Sequence, residues 1–515
     1  MASYIAITIG PINRVFSLAQ KTREFWGASF LFSLYAKKIC DAFLEKGSDP
    51  DDFLVPNKRV LNRTLKNYGL FHDRIVIKAD QQLWLEFEKD IVDRALLSLS
   101  SEISANEKGL DYSSLKTFLK TYAVFLETEQ EKPLLPLFNK LNTIELYNIE
   151  TSDNDSDLKI KRFLENVNSE YDDSNNITES SFLKKFFDLL DYNGNLRIPS
   201  IVEISTFELR QHTDYTGIMN RNIWCKSPDE SSLFEAFQHS FQQIVRNYHK
   251  YICILRADGD GLGSVLTNSN DSEIRSITSD LTDWGEEAFL LLKEYGALPV
   301  YIGGDDLLCF APVNNGKETI LELANKLSVS YRKKSSLKDH SISVGISISY
   351  YKSPMYESYE TTYDLLKKAK KKGNSCVLSY EKHSGSPHIF SYEFDSDYVA
   401  IVQPLLNLME FNDNEKSFLS SVMYCLRLNE ELLHLIKDDC ERIWYFFINN
   451  FDEASDKKKD TVKYRYLKLV AQIIYTQFGR AGSNRIKEKE MYEAINNTYS
   501  LLKTTRFLKG LDDVR

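Results

Sequence analysis

Cysteine is scarce in this chain of 515 residues: there are seven, at positions 40, 225, 253, 309, 376, 425 and 440. No two stand in a CxxC pair, and none lies between 40 and 225. That spacing argues against a disulfide framework or a cysteine-built zinc site, so no zinc is expected and reduced thiols are the default. Long apolar runs are also missing. Nothing approaches the roughly 20 residues that cross a bilayer, so no membrane partner is expected. The opening "MASYIAITIGPINR" has no basic leader and does not read as a signal peptide. Together these features point to a cytoplasmic protein. Excess positive charge is lacking too. At a net charge of −10, the chain cannot coat nucleic acid by charge alone, so RNA contact would need local basic patches or other subunits.

What is present is globular: 43% hydrophobic and 27% charged residues. The length suggests about three or four domains. "YIAITIGP" alternates like a strand and stops at Gly10-Pro11. The stretch to Gly47 has apolar residues at helical spacing, read as two helices broken near Gly27. "DRIVIKA" (73–79) is a second strand. Residues 151–181 are acidic and rich in Ser and Asn, which predicts a flexible surface insertion. From Tyr251 the order is strand, Gly-rich exit "DGDGLGSVL", helix to Gly296, hairpin "LPVYI-GGDD-LLCFAP", helix, strand "SISVGISISYY", helix to Gly373 and last strand "SCVLSY". This βαββαβ order is the ferredoxin-like arrangement on which palm domains are built. After about residue 386 the spacing is helical throughout. The predicted class is α+β, with two ferredoxin-like palm domains, a helical linker region and a C-terminal α-helical domain. Boundaries are expected at 1–150 (first palm, without GGDD), 151–245 (acidic insertion and inter-palm region), 246–385 (GGDD palm) and 386–515 (separate helical domain).

Two adjacent aspartates on a tight hairpin repel each other unless a cation neutralises them. In a ferredoxin-like fold the first strand lies beside the central hairpin, which brings Asp258 next to Asp305 and Asp306. Three carboxylates at neighbouring strand ends suit Mg²⁺ or Mn²⁺, leaving positions open for substrate phosphates. These three are the catalytic and metal-binding candidates. Gly303 and Gly304 allow positive φ and let a triphosphate approach the backbone. Gly259 and Asp260, in the loop after the first strand, are further nucleotide-binding candidates. Among the lysines of "KKAKKKG", Lys370 is expected to ligate phosphate. The chemistry that follows is metal-dependent nucleotidyl transfer from ATP with release of pyrophosphate.

Four stretches carry a family resemblance. "ITIGPINRVFSLAQKTREFWGASFLFS" (7–33), with Lys21, Thr22, Arg23, Trp26, Gly27 and Ser29, is similar to an N-terminal palm signature. "RIPSIVEIST" resembles the segment before a second palm. "RADGDGLGSVL" with "IGGDD" matches a catalytic palm, and "SVGISISYYKSPMY" the strand and turn after it. "LKTTRFLKGLDD" also fits a helical tail. Together they resemble the large, polymerase-like subunit of type III CRISPR effector complexes, Cmr (III-B) branch. The resemblance implies two facing palms that bind ATP, and synthesis of an adenylate second messenger when the complex recognises target RNA. It implies other Cmr subunits, crRNA and target RNA as partners. It places Ser29 near an acceptor pocket in the first palm. The product would be a cyclic oligoadenylate or AMP joined to S-adenosylmethionine.

Many relatives carry an N-terminal HD nuclease domain, and this chain opens directly on the first palm pattern. The pair His72-Asp73 in "FHDR" lacks the further ligands of such a site. The four-cysteine finger that many relatives carry between the palms is not expected here. Two rival readings remain: a GGDEF-like nucleotide cyclase, which usually has Glu-Phe where this chain has Asp306-Leu307, and a catalytically silent nucleotide-binding scaffold.

Overall fold

The computed structural model describes residues 2–103, 110–147, 154–171, 177–189, 196–212, 215, 230–241, 244–382, 386–409, 411, 415–436, 439–480 and 488–511. Cys225 lies outside them. Among the described residues, no helix is long and apolar enough to cross a membrane.

The first sheet is built from β1 (Ala2–Gly10), β2 (Phe53–Val55), β3 (Arg74–Lys78) and β4 (Lys120–Thr128), in the order β2-β3-β1-β4. The alternation in β1 divides its side chains between two faces. Ile5, Ile7 and Ile9 enter a large core, and Tyr4 and Ala6 a smaller one. Between the strands run α1 (Thr22–Glu45) and α2 (Val92–Ile103). The break expected near Gly27 falls instead between Leu18 and Thr22, and α1 runs straight through Gly27. The glycine serves packing: a Cβ there would stand 2.8 Å from a methyl of Val167.

That valine follows α3 (Asn154–Glu165), which lies inside the stretch expected to be a flexible insertion. Ile160, Phe163, Leu164 and Val167 recur at intervals of three and four, and all are buried in the first palm's core. Within α3, Asp155, Arg162 and Glu165 lie on the exposed side, so the helix is amphipathic. Short helical pieces, Ile201–Ser205, Phe207–Gln211 and Glu230–Ser240, lead to the second sheet.

The second sheet comprises β5 (Tyr251–Gly259), β6 (Leu298–Gly303), β7 (Asp306–Pro312), β8 (Ile342–Tyr350), β9 (Ser375–Tyr380) and β10 (His388–Glu393), ordered β10-β9-β8-β5-β7-β6. Its helices are α4 (Asp271–Tyr295), α5 (Ile320–Arg332) and α6 (Met355–Lys372). In both sheets the first strand of the unit is central, flanked by the third and fourth, as the ferredoxin-like topology requires. Alternation along β5 splits it cleanly. Cys253, Leu255 and Ala257 pack under α4 and α5, while Ile252 and Ile254 face the first palm.

Two sequence expectations fail at the C-terminal side. Residues 388–393, expected to be helical, form β10 and pair antiparallel with β9. The helices expected to make a separate domain share one core with the second sheet. They are α7 (Lys416–Leu428), α8 (Cys440–Asn450), α9 (Val462–Arg480) and α10 (Glu488–Leu508). Phe507 of α10 stacks on Tyr380 with ring centroids 4.0 Å apart, and the Asn314 side-chain amide donates to the Leu508 carbonyl at 2.9 Å.

Candidate active site

Strand register assembles the acids. Ala257 pairs with Leu307, and continuing that antiparallel register by one residue sets Asp258 opposite Asp306. Gly303 pairs with Asp306 across the hairpin, so Gly304 and Asp305 form its tip. Asp305 folds back over the end of β5, where a Cβ on Gly259 would lie 2.7 Å from an Asp305 carboxylate oxygen. Only glycine permits that approach. The expected trio, Asp258, Asp305 and Asp306, is therefore one cluster, each member partly exposed. Enclosure, followed by the charges of Asp306 and Asp258, raises the Asp305 carboxyl well above the carboxylate range. Asp306 is pushed up to about 7, first by enclosure and then by Asp258, against the opposing pull of Arg256 and Lys370. Crowded carboxylates raised in this way, in spite of Arg256 and Lys370, favour an added positive charge, and hard divalent cations suit such donors.

The lysine side of the site follows from helix placement. Gly345 of β8 has no side chain, and a Cβ there would meet the Leu366 amide nitrogen at 2.5 Å. The close approach seats α6 against the sheet and brings Lys370 into an ion pair with Asp258. Among the described residues, no group of three or more His, Cys, Asp or Glu side chains stands in a geometry that holds a metal ion as it is. The donor chemistry still fits a cation: Asp258, Asp305 and Asp306 supply hard oxygens from adjoining strand ends, and Lys370 supplies a positive charge that can move from carboxylate to phosphate.

The other sequence candidates separate. Gly303 and Gly304 are at the hairpin tip, the latter at φ +62° with the His72 ring pressed against it. Gly259 lies under Asp305. Asp260 is apart from the cluster and committed to holding loops. It accepts from Ser341 Oγ and Ser343 Oγ, both at 2.6 Å, and from the Asn374 amide at 2.8 Å. Ser29 is not brought to the acids either. It is 5% exposed and packs beneath Gly69, where a Cβ would stand 2.5 Å from its hydroxyl.

Four nearby residues, His72, Gly69, Tyr331 and Arg256, had no part in this site by sequence. His72, whose enclosure pushes it down to about 4, lies against the hairpin tip, 3.4 Å from the Tyr301 hydroxyl. Next to it, Gly69 extends the edge of the second sheet: its amide donates to the Val300 carbonyl at 3.1 Å, and its carbonyl accepts from Ile302 at 2.9 Å. Tyr331 of α5 is fully buried, and its hydroxyl has no hydrogen-bond partner among the described residues. A Cβ on Gly259 would touch both that hydroxyl, at 2.8 Å, and Asp305. Arg256 lies on the same face of β5 as Asp258. Of the four, Arg256 carried a signal in sequence, as a charge inside the apolar run "YICILRAD", and His72 stood out only for its pairing with Asp73.

Comparison with known proteins agrees with this geometry. Residues 4–171 match the family described as CRISPR-associated protein Cmr2, N-terminal. Residues 251–377 match the Cas10/Cmr2 second palm domain. The CRISPR system Cmr subunit Cmr2 of Pyrococcus furiosus is 28% identical over 196 residues, which cover 32% of this chain and 22% of that protein. The match thus spans about a fifth of the curated relative's length. A chain in the cryo-EM structure of a type III-B Cmr-beta complex in its apo state superposes with a TM-score of 0.60 at 12% identity, over 96% of this chain and 82% of that one. A chain of the Csm1–Csm4 cassette crystallised in complex with cA4 superposes with a TM-score of 0.51 at 13% identity, over 92% of this chain and 69% of that one. At such identities the two structures establish a shared fold.

Proposed function

This chain belongs to the Cas10/Cmr2 family, and on that premise we propose that it is the nucleotidyl-transferring subunit of a cytoplasmic type III-B CRISPR effector. It would assemble with other Cmr subunits, crRNA and target RNA, and make an adenylate second messenger from ATP. The observation that carries this reading is the cluster of Asp258, Asp305 and Asp306 at neighbouring strand ends, with Lys370 on Asp258.

In the proposed reaction a ribose hydroxyl oxygen forms a bond to the α-phosphorus of ATP. The bond from that phosphorus to the bridging oxygen breaks, and pyrophosphate leaves with the electron pair. The hydroxyl proton passes to a carboxylate of the cluster or to solvent. Asp258, Asp305 and Asp306 would hold Mg²⁺ or Mn²⁺, which when bound neutralises phosphate charge and acidifies the attacking hydroxyl. The hairpin tip at Gly303 and Gly304 would receive the polyphosphate, and Lys370 would exchange Asp258 for a phosphate oxygen. The cA4 held by the Csm1–Csm4 cassette supports a cyclic oligoadenylate as product over AMP conjugated to S-adenosylmethionine.

The test is pyrophosphate release from ATP and Mg²⁺ by the target-RNA-activated complex, with mass spectrometry of the product in the presence and absence of S-adenosylmethionine. Wild type should release pyrophosphate with ATP alone, and D305A/D306A should lose at least 10³-fold in rate while unfolding at the wild-type midpoint. Equal turnover by the double mutant sinks the assignment. No turnover by wild type favours a nucleotide-binding scaffold.

A further inference from the structure

Arg256 stands where an apolar residue is expected. Its neighbours on the same face of β5, Ile252 and Ile254, are buried against the first palm, and its partners across the sheet are Leu308 and Gly345. The guanidinium carbon is 5.5 Å from the Tyr359 ring centroid and 5.1 Å from that of Tyr363. One N–H group donates to the Tyr359 hydroxyl at 3.3 Å. Tyr359 is itself fixed from the first palm, stacked 5.2 Å from Phe16. The tyrosines therefore orient the guanidinium without neutralising it. A guanidinium carries five N–H donors, and among the described residues no carboxylate pairs with this one.

The surroundings favour an anion that arrives from solution. Tyr363 is 44% exposed, so the pair is open to solvent. Lys367, one helical turn further along α6, sits 4.1 Å from the same ring and reaches its nearest carboxylate, Asp364, only at 4.0 Å. Arg256 is close enough to the acid cluster for its charge to act on Asp306. It is nonetheless two residues from Asp258, about 7 Å along a strand. An anion on Arg256 would therefore be a different group from one held at the hairpin tip and Lys370. A planar guanidinium fork with free donors matches phosphate, which it can grip through two oxygens at once.

We propose that Arg256, held in place by Tyr359 and Tyr363 and supported by Lys367, binds a second substrate phosphate beside the acid cluster, on the face of β5 turned toward the first palm. The identity of that ligand as a nucleotide phosphate rests on the nucleotidyl-transfer reading above. It belongs either to the tail of the ATP donor or to the acceptor strand.

Calorimetric titration of the full chain, with Mg²⁺ present, tests the site with three probes: inorganic tripolyphosphate, a non-hydrolysable ATP analogue and the 5′-triphosphorylated dinucleotide pppApA. R256A should weaken at least one probe by about 10- to 100-fold. R256K should fall between, because it keeps the charge and loses the fork. Weakening of all three assigns the donor tail, and weakening of pppApA alone assigns the acceptor strand. Affinities within twofold of wild type for all three probes, in R256A that unfolds normally, overturn the proposal. If R256A does not fold, the same result with R256K overturns it. Should the probes bind in an Arg256-dependent way to a protein that releases no pyrophosphate, the transfer reading fails and the phosphate site stands. Turnover of ATP with no such dependence is the reverse case.

Discussion

Asp306 is the residue at which enclosure and repulsion can be read as a property of the whole protein. Its carboxyl is raised from 3.8 to about 7, and Asp305 is raised as well. Between those limits the folded chain binds protons that the unfolded chain has released. The Asp306 contribution to folding stability therefore falls as pH rises through that window, while His72, lowered from 6.5 to about 4, acts in the opposite direction below 6.5. In chelator, the urea midpoint of wild type relative to that of D306N should therefore be lower at pH 8 than at pH 5, the His72 contribution being common to both. Magnesium added at pH 8 should raise the midpoint of wild type, since a bound cation stabilises the charged carboxylates, and should leave D306N less affected. A wild-type midpoint that gains on that of D306N from pH 5 to pH 8 in chelator would contradict the account. Much of this site was legible in advance, because acidic pairs next to glycines in an apolar hairpin have few structural uses. The part played by Asp260 was not. Its three protein donors come from β8 and the turn after α6, 81 or more residues away.

At the scale of elements, α3 carries the main lesson about composition and pattern. Residues 151–181 look disordered by their content of Asp, Ser and Asn, yet Ile160, Phe163, Leu164 and Val167 repeat at helical spacing and are buried. Composition averages over a window, whereas folding responds to which residues share a face. L164A should cost about 2–5 kcal/mol by denaturant unfolding, while D155A, on the exposed face, should change stability by less than about 0.5 kcal/mol. Equal effects of the two would return α3 to the status of a surface appendage. The strand β10 was missed for the opposite reason. "HIFSYE" alternates, burying Phe390 and Tyr392, but it is short and precedes a long helical stretch.

Across the whole molecule, function depends on a seam that joins two sheets of the same topology. Phe25 of α1 lies 5.5 Å from Phe310 of β7 and 5.5 Å from Tyr359 of α6, and Gly69 adds backbone hydrogen bonds to β6. F25A removes a buried aromatic from that seam and should cost about 3–5 kcal/mol. It should also lower pyrophosphate release in the activated complex at temperatures where the mutant remains folded, because Tyr359, and with it Arg256, loses support. Full activity in folded F25A would show that the second sheet works without the first. Local pattern was enough for most of the strands, the glycine-hinged hairpin, the order of elements and the acids at the strand ends. These depend on residues near one another in the chain, where periodicity and turn chemistry act directly. It took the folded arrangement to show that His72 meets Gly304, that no carboxylate among the described residues pairs with Arg256, that Lys370 sits on Asp258 and that the C-terminal helices share the second sheet's core. Those contacts join residues scores to hundreds of positions apart, and no local pattern encodes which surfaces will meet.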